Sequence, residues 1–251
     1  MRILLTNDDG VRSPGIHALL AALEGKHEVW VFAPDGERSG MSHRITLGSP
    51  VMRKKLGERV FACSGTPADC VLLALLGALP CKPDIVISGI NLGPNIGTDI
   101  IYSGTAAAAR QAALMRVPGV AVSLDAFSPP YFFEPLARFI AANALLLAHV
   151  WEGGHFVNIN APNVPSGESY AGAAVTFPSL RRYQDKLSEF TAPGGESYYF
   201  LHNVPPETDR EAGSDWDAVV QGKISVSPVA LQPVGYTGDA RYQDARFALD
   251  T

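Results

Sequence analysis

The 251-residue chain has 20 Lys and Arg against 25 Asp and Glu, a formal net charge of −5, and 47% hydrophobic residues. That is enough apolar chain for one domain with an appended subdomain, or for two small domains. The acidic balance removes the attraction that drives binding to extended nucleic acid, and no basic run longer than Arg53-Lys54-Lys55 restores it locally.

Cys63, Cys70 and Cys81 form neither an even set nor a CxxC pair, which argues against a disulfide framework and against zinc. They read as buried thiols of a reducing compartment. The longest apolar run, Cys70 to Cys81, is interrupted by Gly77 and Pro80 and is too short for a bilayer core of about 30 Å. Met1-Arg2 leads within four residues to Asn7, without a hydrophobic leader. The expectation is a soluble cytoplasmic protein with no membrane partner and no nucleic-acid duplex as ligand. The 24 Gly and 19 Pro predict long functional loops.

The run Arg2 to Thr6 predicts a buried strand that stops at Asn7-Asp8-Asp9-Gly10. Ile16, Leu19, Leu20 and Leu23 recur at helical spacing after Pro14, and Gly25 closes the segment. Val29 to Phe32 predicts a second strand, completing a βαβ unit. Thr66-Pro67-Ala68-Asp69 reads as a helix start, with an N-cap, Pro at the first position and a carboxylate at the third, before the apolar run Val71 to Leu79.

Asp84 to Ser88 predicts a strand, Ser103 to Met115 an Ala-rich helix and Val120 to Ser123 a further strand. Phe139 to Val150 predicts a helix and His155 to Asn160 another strand. Repeated right-handed βαβ crossovers imply an α/β fold whose mostly parallel sheet is covered by helices on both faces and binds ligands at the carboxyl ends of its strands. Ala171 to Phe177, Ser197 to Leu201 and Lys223 to Val226 read as short strands. The rhythm thus changes near residue 161, dividing the chain into 1–160 and a β-rich 161–251.

Polar residues follow the predicted strands. Asp8 and Asp9 end the first, Ser39 follows the second, and Asn91 and Asn95 follow the strand ending at Ser88, so three loops converge on one rim. Two adjacent carboxylates repel each other unless a proton or cation intervenes. With Ser and Asn oxygens beside them, a hard cation such as Mg²⁺ or Mn²⁺ resolves the repulsion. Asn-Asp-Asp-Gly is equally a turn composition; the convergence of loops favours a metal. A Gly-x-Gly-x-x-Gly dinucleotide loop is absent from this position, where two negative charges would repel a bare phosphate.

Ser88 to Gly97 combines flexible residues with amides, and Ser103-Gly104-Thr105 opens a helix whose free amides and hydroxyls suit an anion. Ser103 alone would read as no more than an N-cap. Together with the metal loop, it favours a phosphate held between the two. His43 is the one histidine near this rim, readable as a proton donor or as a solvated loop residue. Ser39 lies outside any Gly-x-Ser-x-Gly elbow, so a serine nucleophile is not indicated.

Five ordered segments carry a family resemblance: Thr6 to Gly10, Ala33 to Gly40, Ser64 to Asp69, Ser88 to Asn95 and Tyr102 to Thr105. Ser214 to Ala218 and Ile224 to Pro228 extend it. The chain resembles the SurE family of metal-dependent nucleotidases. Ser214 stands where Thr is commoner, and residues 160–212 are too variable to compare.

The resemblance implies a Rossmann-like domain with a smaller C-terminal part that mediates subunit exchange, giving a homodimer or homotetramer. It further implies one divalent metal ion per subunit on Asp8, Asp9, Ser39 and Asn91, with Asn95, Ser103, Gly104 and Thr105 around the phosphate. The implied reaction is hydrolysis of nucleoside 5′- and 3′-monophosphates, with short polyphosphate a further substrate in some members. Asp8 and Asp9 are the catalytic candidates, holding the metal or receiving a proton from water. An Asp nucleophile and a non-catalytic metal and nucleotide sensor stand as alternatives.

Overall fold

The computed structural model describes residues 1–202 and 206–232. The chain opens with β1 (Arg2–Thr6), α1 (Pro14–Leu23) and β2 (Glu28–Pro34), the expected βαβ unit. It continues through β3 (Arg53–Lys55), β4 (Val60–Cys63) and α2 (Pro67–Leu73), which runs on into a π-helical segment, Ala74–Ala78. Next come β5 (Ile85–Leu92), a short 3₁₀ helix (Gly97–Ile101), α3 (Gly104–Leu114), β6 (Gly119–Asp125), α4 (Phe133–His149) and β7 (His155–Pro162).

β1, β2, β4, β5, β6 and β7 are parallel members of one nine-stranded sheet, in the order β3-β4-β2-β1-β5-β6-β7 followed by two later strands. Neighbouring side chains of β1 face opposite ways. Ile3 and Leu5 join Ile16, Leu19, Ile87 and Ile140 in the core beneath α1 and α4, while Leu4 joins Phe32, Val71 and Ala108 beneath α2 and α3. Burial on both faces explains why these strands show continuous apolar runs rather than alternation.

The chain leaves β1 towards β2 on one side and returns to its other side through β5. The sheet therefore reverses its order between β1 and β5, and loops splay apart at their carboxyl ends to leave a crevice.

The helix starts follow local chemistry. At α2, the Thr66 hydroxyl accepts from the Asp69 amide at 3.1 Å and the Asp69 carboxylate accepts from the Thr66 amide at 2.9 Å, a reciprocal cap. α4 begins at Phe133, six residues before the expected Phe139. Pro135 falls in its first turn, where a missing N–H costs no intrahelical bond. β5 continues past Ser88 to Leu92, with an irregular register against β6 between Ser88 and Asn91, so residues expected in a loop extend a strand.

The C-terminal part comprises β8 (Ala173–Val175), β9 (Arg181–Arg182), β10 (Lys186–Thr191), β11 (Ser197–His202), β12 (Glu207–Thr208), α5 (Asp215–Val220) and β13 (Ile224–Ala230). β10 with β11 and β9 with β12 form small antiparallel pairs. β13 lies antiparallel beside β7, and β8 pairs parallel with β13. The division expected after residue 160 thus falls within β7, and the β-rich part contributes two strands to the main sheet.

Residues beyond 232, in the part expected to mediate subunit exchange, lie outside the described residues. Among the described residues, no helix is long and apolar enough to cross a membrane.

Candidate active site at the switch point

The turn after β1 is built by Asn7. Its side-chain amide donates to the Gly10 carbonyl at 2.9 Å and to the Ser13 hydroxyl at 2.7 Å, and its oxygen accepts from the Gly10 amide at 3.1 Å. This brace projects Asp8 and Asp9 from the strand end. Asp8 is almost wholly buried. Its Oδ2 accepts from the Thr105 amide at 3.2 Å and its Oδ1 from the Thr105 hydroxyl.

The first turn of α3 therefore clasps this carboxylate. Gly104 permits the approach, because a Cβ there would lie 2.9 Å from both Cβ and Oδ2 of Asp8.

Burial pushes the Asp8 carboxyl above the usual carboxylate range, against the opposing effect of the Thr105 hydrogen bonds. Asp9 is pushed up to about 7, by burial first and then by the negative charges of Asp8 and Glu37. None of the ion pairs among the described residues involves Asp8 or Asp9; nearby Arg38 is engaged with Asp35 at 2.7 Å. The two carboxyl groups at the strand end thus stand side by side with no ion-pair partner among the described residues.

The loop after β2 is tied to the same place. The Arg38 amide donates to the Asp8 carbonyl at 2.7 Å, and the Ser42 hydroxyl donates to the Ile101 carbonyl at 2.7 Å. Ser39, exposed between these ties, donates its hydroxyl to Glu37. Asn91, at the end of β5, donates to the Gly93 carbonyl at 2.8 Å. That bond turns the amide so that its oxygen remains free to accept or to ligate.

Asp8, Ser39, Asn91, Asn95 and Ser103 line one cleft of about 650 Å³. Asp9 lines an adjoining cavity with Arg12, Ser13 and Glu37, and Leu92 borders both. Ser103 caps α3, accepting from the Ala106 amide at 3.0 Å. Thr105 is fully buried and committed to Asp8, so it braces the candidate metal carboxylate rather than facing the cleft. His43 is held at 2.9 Å by Gln111 of α3, and burial lowers its pKa; it does not line the cleft.

The cleft is also lined by Tyr102 and by Asp99, Phe127, Arg181 and Tyr183, four residues that the sequence does not single out. Tyr102 and Tyr183 meet edge to face with centroids 5.7 Å apart, and Arg181 pairs with Asp99. Arg181 and Tyr183 come from the variable stretch and carry no motif; only the tertiary fold brings them here.

The donor chemistry fits a hard divalent cation: two carboxylates, a hydroxyl and a side-chain amide oxygen, all oxygen. Among the described residues, no group of three or more His, Cys, Asp and Glu is placed to hold a metal ion. A cation here would therefore rest on the two Asp residues and neutral oxygens.

Fold and site together define a doubly wound α/β protein with its ligand cleft at the switch point. The family profile described as Survival protein SurE matches residues 3–185. The chain belongs to the SurE family.

It is 45% identical over 244 residues to the 5′-nucleotidase SurE of Rubrobacter xylanophilus, covering 92% of each chain. It is 41% identical to the 5′-nucleotidase SurE of Geotalea daltonii, over 96% of this chain and 97% of that one. The crystal structure of the Sure protein from Aquifex aeolicus superposes with a TM-score of 0.84 at 34% identity, covering 98% of this chain and all of the other.

Proposed function

We propose that the protein is a divalent-metal-dependent phosphatase that hydrolyses nucleoside monophosphates, 5′ and 3′, to nucleoside and phosphate. The observation that carries this reading is the convergence of Asp8, Ser39, Asn91, Asn95 and Ser103 on one cleft at the switch point. The relatives named 5′-nucleotidase SurE, alike over almost the full chain, support the substrate class. The aromatic wall of Tyr102, Phe127 and Tyr183 offers a surface for a nucleobase, which a simple sugar phosphate would leave bare.

Asp8, Asp9, Ser39 and Asn91 would hold one Mg²⁺ or Mn²⁺. When bound, such an ion neutralises phosphoryl oxygens and lowers the pKa of water. The chain's own contribution is placement. Thr105 and Gly104 fix Asp8, Asn7 fixes the turn that carries both carboxylates, and Asn95 with Ser103 and the Gly104 amide would receive the phosphoryl oxygens. Water adds to phosphorus, the bond to the nucleoside oxygen breaks, and a proton given up by the water passes to that oxygen, which leaves as an alcohol while the water's oxygen stays in the phosphate. An Asp nucleophile is the alternative reading of the same cleft.

The β10–β11 hairpin exposes Leu187, Phe190, Tyr198, Phe200 and Leu201 and, among the described residues, pairs only with itself. An exposed apolar hairpin of this kind supports a homodimer or homotetramer assembled through the C-terminal part. Short polyphosphate would enter the same cleft as a minor substrate.

The test is steady-state phosphate release from a nucleoside 5′-monophosphate and its 3′ isomer in the presence of Mn²⁺ or Mg²⁺. Multiple turnovers with both isomers, abolished by Asp8→Asn, are expected. Nucleotide binding without release would instead identify a sensor.

A further inference from the structure

β7 lies two strands away from β5, and none of its residues lines the cleft. Yet it carries two completely buried amides on one face, Asn158 and Asn160, in an otherwise apolar segment. Both spend their donors on a single atom outside the strand. The Asn95 carbonyl accepts from Asn158 Nδ2 at 2.8 Å and from Asn160 Nδ2 at 3.1 Å.

Asn160 Oδ1 in turn accepts from the Asn95 backbone amide at 2.8 Å, so one side chain grips both polar groups of one residue's backbone. The Asn95 side chain is gripped separately: its Nδ2 donates to Ser123 Oγ of β6 at 2.8 Å. That leaves one N–H of the Asn95 amide uncommitted in a side chain that borders the cleft.

The arrangement is costly to the fold. Among the described residues Asn158 Oδ1 is buried without a hydrogen-bond partner. A leucine, branched at Cγ like asparagine but without polar atoms, would avoid the unpaired oxygen, so stability alone does not account for the residue. We propose that Asn158 and Asn160, with Ser123, are positioning residues that lock the backbone and amide orientation of Asn95 for contact with the transferred phosphoryl group. The inference rests on the proposed role of Asn95 at the phosphate. It extends the functional apparatus to strands β6 and β7, which carry none of the candidate metal ligands.

The test compares Asn158→Leu, Ser123→Ala, Asn95→Ala and the double variant Asn95→Ala/Asn158→Leu. Each is assayed for kcat/KM with a nucleoside 5′-monophosphate, for the Mn²⁺ concentration giving half activation, and for thermal midpoint. Asn158→Leu and Ser123→Ala are each expected to lower kcat/KM by about tenfold, the scale of one orienting hydrogen bond.

Half-activating Mn²⁺ should stay unchanged, and Asn158→Leu should melt at or above the parent temperature. In the Asn95→Ala background, adding Asn158→Leu should cost nothing further. A merely structural role would lower the melting temperature and persist in that background.

If Asn95→Ala is impaired while Asn158→Leu and Ser123→Ala retain full kcat/KM, the clamp is overturned and the phosphate role of Asn95 survives. If Asn95→Ala itself is fully active, the phosphate role fails and the clamp's function falls with it. Should Asn158→Leu not fold, Ser123→Ala with the corresponding double variant, Asn95→Ala/Ser123→Ala, decides the question.

Discussion

Thr105 holds both oxygens of the Asp8 carboxylate, its amide donating to one at 3.2 Å and its hydroxyl to the other. The helix that begins at the candidate phosphate site thereby also fixes the candidate metal ligand, coupling the two halves of the site through one residue. Thr105→Val keeps the shape and the amide but removes the hydroxyl donor. We expect half-activating Mn²⁺ to rise about tenfold, for one lost hydrogen bond to a charged group. A metal-activation curve matching the parent's would contradict the coupling.

Gly104 presses closer still. Gly104→Ala places a methyl 2.9 Å from Cβ and Oδ2 of Asp8, too close for either to stay in place. Activity should fall by about a hundredfold, because small misplacements at reacting centres carry costs of that order. Circular dichroism should remain that of the parent, since the displaced group is one side chain. Near-parental kcat/KM would show that Asp8 need not hold its observed position.

Acid sensitivity should arise partly at Asp69. Burial alone would raise its pKa, but hydrogen bonds from Thr46 and Thr66 outweigh burial and hold it below the usual carboxylate range. A carboxyl with a lowered folded-state pKa contributes stability above its unfolded pKa, and that stability is lost as pH falls through the folded value. Asp69→Asn should therefore cost about 1.5–3 kcal/mol near pH 7 and progressively less below about pH 4. Urea unfolding midpoints at the two pH values measure this; a cost that grew on acidification would reverse the sign.

Asp215 of α5 is fully buried and accepts from the Gly97 amide at 2.7 Å and from the Ser179 amide at 2.9 Å. It ties the C-terminal part to the loop that follows Asn95. Gly97 is required there, at φ +55°, since a Cβ would stand 1.9 Å from the Ser179 carbonyl oxygen. Asp215→Ala strands two buried amides and should destabilise the fold by about 2–5 kcal/mol. An unchanged thermal midpoint would contradict this role.

Much of the architecture is legible in the residues themselves. Short apolar runs ending in Asn, Asp or Ser mark the parallel strands, and Thr66 to Asp69 announces a helix whose cap forms as expected. Misreadings occur where a local signal points the wrong way. The helix expected from Phe139 begins at Phe133, with Pro135 in its first turn, and Gly89 reads as a loop yet lies within β5. β10 is exposed throughout, so burial imposes no period on its six residues, and they carry no strand signal.

At the site, Asp8, Ser39, Asn91, Asn95 and Ser103 were legible because each follows a strand or begins a helix on the same rim. The hold of Thr105 on Asp8 and the grip of Asn158 and Asn160 on Asn95 were not. They join positions 97, 63 and 65 residues apart, and no spacing rule encodes such pairs.

The most direct test of the central claim is metal removal and return. Protein dialysed against a chelator and then against metal-free buffer should release no phosphate from a nucleoside 5′-monophosphate, and added Mn²⁺ should restore full turnover. Asp8→Asn and Asp9→Asn, folded by circular dichroism, should stay inactive at the same Mn²⁺ concentration. Undiminished phosphate release by the chelated parent protein would contradict the account.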